Sequence, residues 1–373
     1  MGTRTILVSA NQAWNLVNFR GQLIDALLAR GFAVAAAAPP DAEHEARLRK
    51  MGCSFHPIAV DSKGVSPWHD ARLALAYAAL MRRVRPAAYL SWTIKPNVYG
   101  AMAARASGVP ALPNVSGLGT AFIRTNPLTE VVSLLYRAGF ARAASVFFQN
   151  EDDAAIFRAR RLVRAEQVTM LRGSGIDTRH FAPISGGQPG RGRFLMIARV
   201  LADKGAREFV DAARILKRED PRRRFTILGH ADVANRTAIP RAELDGWVAE
   251  GAIEWVPPVG DVRAMIDASD CVVLPSYREG TSRVLLEGAA MARPLVASDV
   301  PGCREVVDDG VTGYLAPVRD ADALAAAMRR VDLLDDAAWQ AMGEAGRAKV
   351  VAEFAPEAVI QEYLAALARV GVR

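Results

Sequence analysis

The stretch Cys271-Val-Val-Leu-Pro-Ser-Tyr277-Arg-Glu279-Gly-Thr-Ser-Arg283-Val-Leu-Leu-Glu287-Gly-Ala-Ala-Met-Ala-Arg-Pro-Leu295-Val-Ala-Ser298 decides the fold. Cys271–Leu274 is a short apolar run rich in β-branched residues, as a buried strand requires. A polar turn containing Gly280 follows, a helical pattern begins at about Ser282, and Leu295–Ala297 is apolar again. Strand, helix and strand at this spacing make a βαβ unit, which calls for a parallel sheet.

The same alternation continues in both directions. Upstream lie strand-like runs at Phe194–Ala198, Phe225–Leu228 and Ile253–Val256; downstream comes Tyr314–Ala316, then helical patterns over about 320–332, 335–349 and 356–370. The first half repeats the scheme, with strands expected at Thr5–Ser9, Ala33–Ala37, Ser54–Val60, Ala87–Ser91 and Ser145–Gln149. Helices are expected between them at about 19–30, 41–51, 68–84, 95–107 and 151–161. Between the halves, residues 183–192 hold Pro, Gly and Ser without a hydrophobic period and read as a linker. A length of 373 residues suits two domains. The expected fold class is therefore α/β: two Rossmann-like, doubly wound parallel-sheet domains, 1–182 and 193–352, facing a central cleft. No 20–50-residue repeat suggests a solenoid.

Half of the residues are hydrophobic and 23% charged, as in soluble globular proteins. The net charge of +7 is uneven. Residues 1–182 hold 22 Lys+Arg against 12 Asp+Glu, or +10, whereas the remainder holds 25 against 28, or −3. A basic first half suits an anionic partner. Its cations are dispersed, without a Lys/Arg block or interleaved aromatics, so an anionic membrane surface is expected rather than nucleic acid. Cys53, Cys271 and Cys303 form no CxxC pair and no metal-ligand spacing, which suits a reducing cytoplasmic compartment. No signal peptide precedes Thr5–Ser9 and no apolar run reaches bilayer length, so membrane contact is expected to be peripheral.

Glu279 and Glu287 lie eight residues apart, the first on a strand-to-helix loop and the second within an apolar helix. Backbone N–H groups at Gly280, Thr281, Ser282 and Arg283 would sit at a helix N-terminus, suited to a diphosphate, with Glu287 placed for ribose hydroxyls. The competing reading makes Ser282 an N-cap, Glu279 a turn residue and Glu287 a solvated side chain. In Phe194-Leu-Met-Ile-Ala-Arg199-Val-Leu-Ala-Asp-Lys204-Gly205, a fork-like cation and a point charge follow another strand. The alternative is a surface Arg and a helix-flanking Lys. His230, after Ile227-Leu-Gly229, touches a donor base or caps its loop. Asp320-Ala-Asp322 is formally D-x-D but opens a helix, where capping explains it.

The E-x7-E stretch, Ala198-Arg-Val-Leu-Ala-Asp-Lys-Gly205 and Ser174-Gly-Ile-Asp-Thr178 together resemble glycosyltransferase family 4, whose fold is GT-B. Family members usually have Asn where Ser174 stands. The resemblance covers nearly the whole chain. It implies retention of anomeric configuration, no cofactor and no metal, with a UDP-sugar donor as substrate. Arg199, Lys204 and Glu279 would be catalytic, the two cations on the donor diphosphate and Glu279 on the donor sugar. Donor binding would also involve Gly280, Thr281, Ser282, Arg283, Val284, Glu287, His230, Gly21, Ser116 and Gly117. Many members carry a His in the loop that here reads Val115-Ser116-Gly117, so no catalytic His is transferred.

Ser91–Gly100, Asn114–Phe122 and Val146–Asp153 are similar to a bacterial subgroup that glycosylates undecaprenyl-diphosphate-linked intermediates. A lipid-linked glycan is thus the expected acceptor, with Asn18, Arg20 and Lys95 on its side. The loop Asn11–Gly21 follows the first strand, and Asn18-Phe-Arg20-Gly21 would bring backbone near the diphosphate and acceptor, with Arg20 meeting an acceptor phosphate. N-capping by Asn18 explains this stretch almost as well. The segment 353–373 is expected to pack back on the N-terminal domain. Two alternatives are a non-hydrolysing nucleotide-sugar epimerase and a non-catalytic nucleotide-sugar-binding subunit.

Overall fold

The computed structural model describes residues 4–61, 66–118, 127–184, 192–233 and 235–373. The chain divides into two units, Met1–Ser174 with Pro356–Arg373, and Gly175–Ala355.

The first unit carries β1 (Thr5–Ser9), β2 (Ala33–Ala38), β3 (Ser54–Pro57), β4 (Ala88–Trp92), β5 (Ala111–Val115), β6 (Val146–Phe148) and β7 (Val168–Met170). They form one parallel sheet in the order β3-β2-β1-β4-β5-β6-β7. Its helices are α1 (Ala13–Ala29), α2 (Ala42–Lys50), α3 (Pro67–Val84), α4 (Ala101–Ala106), α5 (Pro127–Phe140) and α6 (Glu151–Ala159). Both sheet faces are covered, which explains the continuous apolar strands. Ile6 and Val8 enter one core with Leu16 and Leu27 of α1, while Leu7 enters the other with Leu73 and Tyr77 of α3. Chain order reverses between β1 and β4, which makes that pair the switch point where such sheets take ligands.

The second unit holds β8 (Arg193–Ile197), β9 (Arg224–Leu228), β10 (Glu254–Val256), β11 (Cys271–Leu274), β12 (Leu295–Ser298) and β13 (Gly313–Ala316). Its parallel sheet runs β10-β9-β8-β11-β12-β13, with the switch point between β8 and β11. Helices α7 (Ala206–Glu219), α8 (Arg241–Ala249), α9 (Arg263–Asp267), α10 (Arg283–Ala290), α11 (Ala321–Asp332) and α12 (Asp336–Glu353) flank it. The last helix, α13 (Pro356–Arg369), belongs to the first unit. Val359, Tyr363, Ala366 and Leu367 join the core of β1, β2 and β4. The Tyr363 hydroxyl accepts from Trp92 Nε1 at 3.1 Å and Asn114 Nδ2 at 2.6 Å.

Several expectations need correction. The first unit ends at Ser174, not 182, because Ile176 and Phe181 are buried in the second unit's core and Ile176 N donates to Phe354 O at 3.0 Å. Most of the linker, 185–191, lies outside the described residues, as does 119–122 of the Asn114–Phe122 phrase. Helix α1 starts at Ala13 rather than 19, since Gln12 is the extended N-cap and Ala13, Leu16, Arg20, Leu23 and Leu27 already form the buried stripe. Strand β5 was hidden by Pro113 and Asn114, residues that ordinarily interrupt strands. Among the described residues no helix is long and apolar enough to cross a membrane.

Candidate active site

The clearest cluster of candidate residues stands at the carboxyl ends of β8 and β11, on both sides of the second switch point. After β8 the chain makes one tight turn over Ala202–Lys204 and reaches Gly205 at φ +75°. A Cβ there would lie 2.1 Å from Pro275 O, so only glycine allows this approach. The contact lets Tyr277 N and Ser276 Oγ donate to Asp203 O, at 2.9 and 3.2 Å. With the two loops joined, Lys204 Nζ donates to Glu279 Oε1. Both side chains are largely buried, 22% and 15% exposed. A third loop completes the frame: Glu279 N donates to Pro301 O and Ser282 N to Gly302 O, at 3.1 and 2.9 Å.

That frame alters the expected phosphate cradle. Ser282 N–H is committed to Gly302, while Ser282 Oγ caps α10 by accepting from Leu285 N. The N-cap reading of Ser282 therefore holds. Gly280 is buried and Thr281 half-buried, in the loop just before the N-cap of α10. Glu287 is 8% exposed, not solvated, and its Oε1 accepts from Arg283 Nε at 2.8 Å. Burial pushes its pKa above the ordinary carboxylate value, against the opposing pull of Arg283. Val284 lies half-buried on the first turn of α10.

Arg199 is exposed just past β8. His230 is also exposed, and its carbonyl accepts from Val200 N at 2.9 Å, which fastens the β9 loop to the β8 loop. Gly229 permits the fit, since a Cβ there would lie 1.9 Å from Ala198 O. Asp320 caps α11 by accepting from Ala323 N at 2.8 Å, so its D-x-D pattern has a structural use. In the Ser174–Thr178 motif, Asp177 accepts from Arg179 N and His180 N, both at 3.0 Å, and shapes a turn.

In the first unit, Asn18, Arg20 and Gly21 fall in mid-α1, which removes them from the loop and N-cap roles expected of them. Mid-helix N–H groups are spent on the helix ladder, so the backbone of 18–21 cannot cradle a phosphate. Asn18 Nδ2 donates to Trp14 O at 2.9 Å. Arg20 is 3% exposed, stacks over Trp92 at 4.8 Å and donates to Ser174 Oγ at 2.9 Å, a buried structural setting. Lys95 follows β4 at the switch point and donates to Asp70 Oδ1 at 2.6 Å. Ser116 and Gly117 follow β5, half-buried, with Gly117 at φ +125°. The sequence reading missed Asp70, Gly302 and the 301–302 loop. A helix expected at 68 already placed Asp70 in a first turn at the carboxyl edge, and Pro301-Gly302 after a strand is a turn signal.

Two parallel-sheet units, each with its charged residues at a switch point, have the architecture of GT-B glycosyltransferases. Family models match accordingly: glycosyl transferase 4-like over residues 5–150 and glycosyl transferases group 1 over 191–335. The chain belongs to this glycosyltransferase family. An N,N'-diacetylbacillosaminyl-diphospho-undecaprenol alpha-1,3-N-acetylgalactosaminyltransferase of Campylobacter jejuni is 26% identical, over 82% of this chain and 84% of the relative. The amylovoran biosynthesis glycosyltransferase AmsK of Erwinia amylovora is 33% identical over 43% of this chain and 41% of its own. Among solved structures, HepE of Anabaena in complex with UDP and glucose matches at TM-score 0.79 and 16% identity, covering 98% of this chain and 100% of that one. Sucrose-phosphate synthase of Thermosynechococcus elongatus matches at TM-score 0.80 and 19% identity, over 99% of both chains.

Proposed function

We propose that this glycosyltransferase moves an N-acetylhexosamine or hexose from a UDP-sugar to an undecaprenyl-diphosphate-linked glycan, with retention, in cell-surface polysaccharide or glycoprotein-glycan assembly. The observation that carries the reading is the Lys204–Glu279 pair held between three loops at the second switch point, with Arg199 exposed on the same loop as Lys204. The activity named for the Campylobacter relative and the UDP in the HepE structure support the acceptor and donor classes.

Departure of UDP builds negative charge on the diphosphate. Arg199 offers a bidentate fork and Lys204 a point charge to offset it, and Glu279 holds Lys204 in place before the reaction begins. Lys204 occupies Glu279 Oε1, so Oε2 serves a donor-sugar hydroxyl. Glu287 takes the ribose, and the chemistry asks for no metal. The first unit takes the acceptor at the cytoplasmic face of the membrane.

Peripheral docking is supported by the +10 first half and by side chains on α3 and α5. Trp68 and Leu75 of α3 are 68% and 69% exposed, and Leu134 of α5 is 63% exposed. Arg72 stacks over Trp68 at 5.5 Å. Large apolar side chains in water beside cations suit an anionic bilayer.

The test is transfer from UDP-GalNAc, UDP-GlcNAc and UDP-glucose to a lipid-diphosphate-linked sugar, with the product's anomeric configuration read by NMR. An α-linked product from an α-linked donor is expected. A β-linked product refutes retention, and release of free epimerised sugar without acceptor replaces the transferase reading with the epimerase.

A further inference from the structure

The loops after β1, β4 and β5 meet at the first sheet's switch point, and their described residues contain one Lys or Arg, Lys95. Its surroundings are built. Lys95 Nζ donates to Asp70 Oδ1 at 2.6 Å, and the Tyr99 hydroxyl donates to Asp70 Oδ2 at 2.9 Å. The Lys95 and Asp70 side chains are 14% and 16% exposed, neither solvated nor sealed. Burial and the adjacent Asp70 push the Tyr99 hydroxyl's pKa up, which keeps it a donor. Asp70 stands in the first turn of α3, which sets its position, while Lys95 and Tyr99 tie its two oxygens.

The backbone around Lys95 is equally constrained. Thr93, two residues earlier, is β-branched yet has φ +71°, and its Oγ1 accepts from Asn11 N at 3.2 Å, tying the β4 loop to the β1 loop. Such strained backbone clusters at binding sites. Beneath Lys95, the Tyr89 hydroxyl donates to Pro96 O at 3.0 Å, and Gly100 lies where a Cβ would meet that hydroxyl at 1.9 Å. A largely buried ion pair is weak evidence for stability, since desolvation offsets its attraction, so the fold alone gives weak reason for this arrangement. An ammonium has three donors and Asp70 takes one.

We propose that Lys95 binds the diphosphate of the lipid-linked acceptor, with Asp70 and Tyr99 as positioning residues that fix its ammonium. This rests on the reading of the first unit as the acceptor side. A phosphate oxygen is the partner a compact ammonium with free donors suits, and a positioned diphosphate sets where the acceptor hydroxyl arrives.

The test titrates the full-length protein with geranylgeranyl diphosphate, geranylgeraniol and UDP. Lys95→Gln, which keeps a hydrogen-bond donor for Asp70, is expected to weaken diphosphate binding about tenfold with UDP affinity unchanged. Lys95→Arg recovers part of the loss. Tyr99→Phe keeps every charge and is expected to raise the acceptor KM about threefold at unchanged kcat, as loss of one neutral hydrogen bond would. Equal diphosphate affinity in wild type and Lys95→Gln overturns the proposal. So does equal binding of the alcohol, or a loss that falls on UDP instead. Failure of the wild type to bind UDP at all is a different result, which removes the underlying reading of a UDP-sugar donor.

Discussion

Each unit sets a lysine against a carboxylate at the switch point of its sheet, but the two pairs are assembled differently. In the second unit Lys204 and Glu279 both lie on loops that follow the switch-point strands, and backbone-to-backbone contacts at Gly205 and Gly302 hold those loops together. In the first, Lys95 follows a switch-point strand while Asp70 comes from the first turn of α3, and a side chain, Tyr99, completes the support. Arg199 stands exposed beside the second pair, whereas the loops at the first switch point offer no other Lys or Arg among the described residues. Two cations suit a diphosphate that must leave with its charge. One cation suits a diphosphate that is only held. On the proposed reading, the same address in the fold serves two kinds of phosphate chemistry.

The largest expected effect comes from removing the leaving-group charge. Lys204→Ala should lower kcat by about 100-fold or more, with a smaller change in UDP affinity. Equal losses in both would make Lys204 a ground-state contact and erase the contrast with Lys95. Next comes the frame. Gly205→Ala places a Cβ against Pro275 O at a positive φ, and should destabilise the second unit by about 1–3 kcal/mol in denaturant unfolding while misplacing Lys204. A variant with unchanged stability would show that the loop approach is not obligatory.

The contrast also explains what the sequence disclosed. The second pair was legible because its residues lie within short motifs: Arg199 to Gly205 follow one strand, and Glu279 to Glu287 follow another. Gly205 stands where the backbone approach to Pro275 leaves no room for a Cβ. The first pair was half legible. Lys95 stood in a recognisable phrase, but Asp70 is 25 residues away and joins it only through the order of strands. Arg20 misled for a related reason: a charged residue near the first strand was read as a loop residue, while the buried stripe of Ala13, Leu16, Leu23 and Leu27 put it inside a helix. Likewise β5 was lost to Pro113 and Asn114, whose burial among neighbouring strands outweighs their poor strand propensity.

A smaller effect is expected at Glu287. Burial raises its pKa above the unfolded value, so its contribution to stability is present below about pH 4.5 and is lost as pH rises through the folded value. Glu287→Gln should therefore weaken UDP binding about tenfold yet melt slightly higher than wild type at neutral pH. Unchanged UDP affinity refutes the ribose role. Smallest is the membrane term. Trp68→Ala should reduce cosedimentation with anionic liposomes by a few-fold, and binding indifferent to lipid charge refutes peripheral docking.

Calorimetric titration of UDP, GDP and ADP into the wild-type chain and Arg199→Ala tests most directly whether the second switch point is a uridine-diphosphate site. UDP binding not shared by GDP or ADP, and weakened about tenfold by Arg199→Ala, is the predicted result. UDP affinity that Arg199→Ala leaves untouched, or no preference among the three nucleotides, contradicts it.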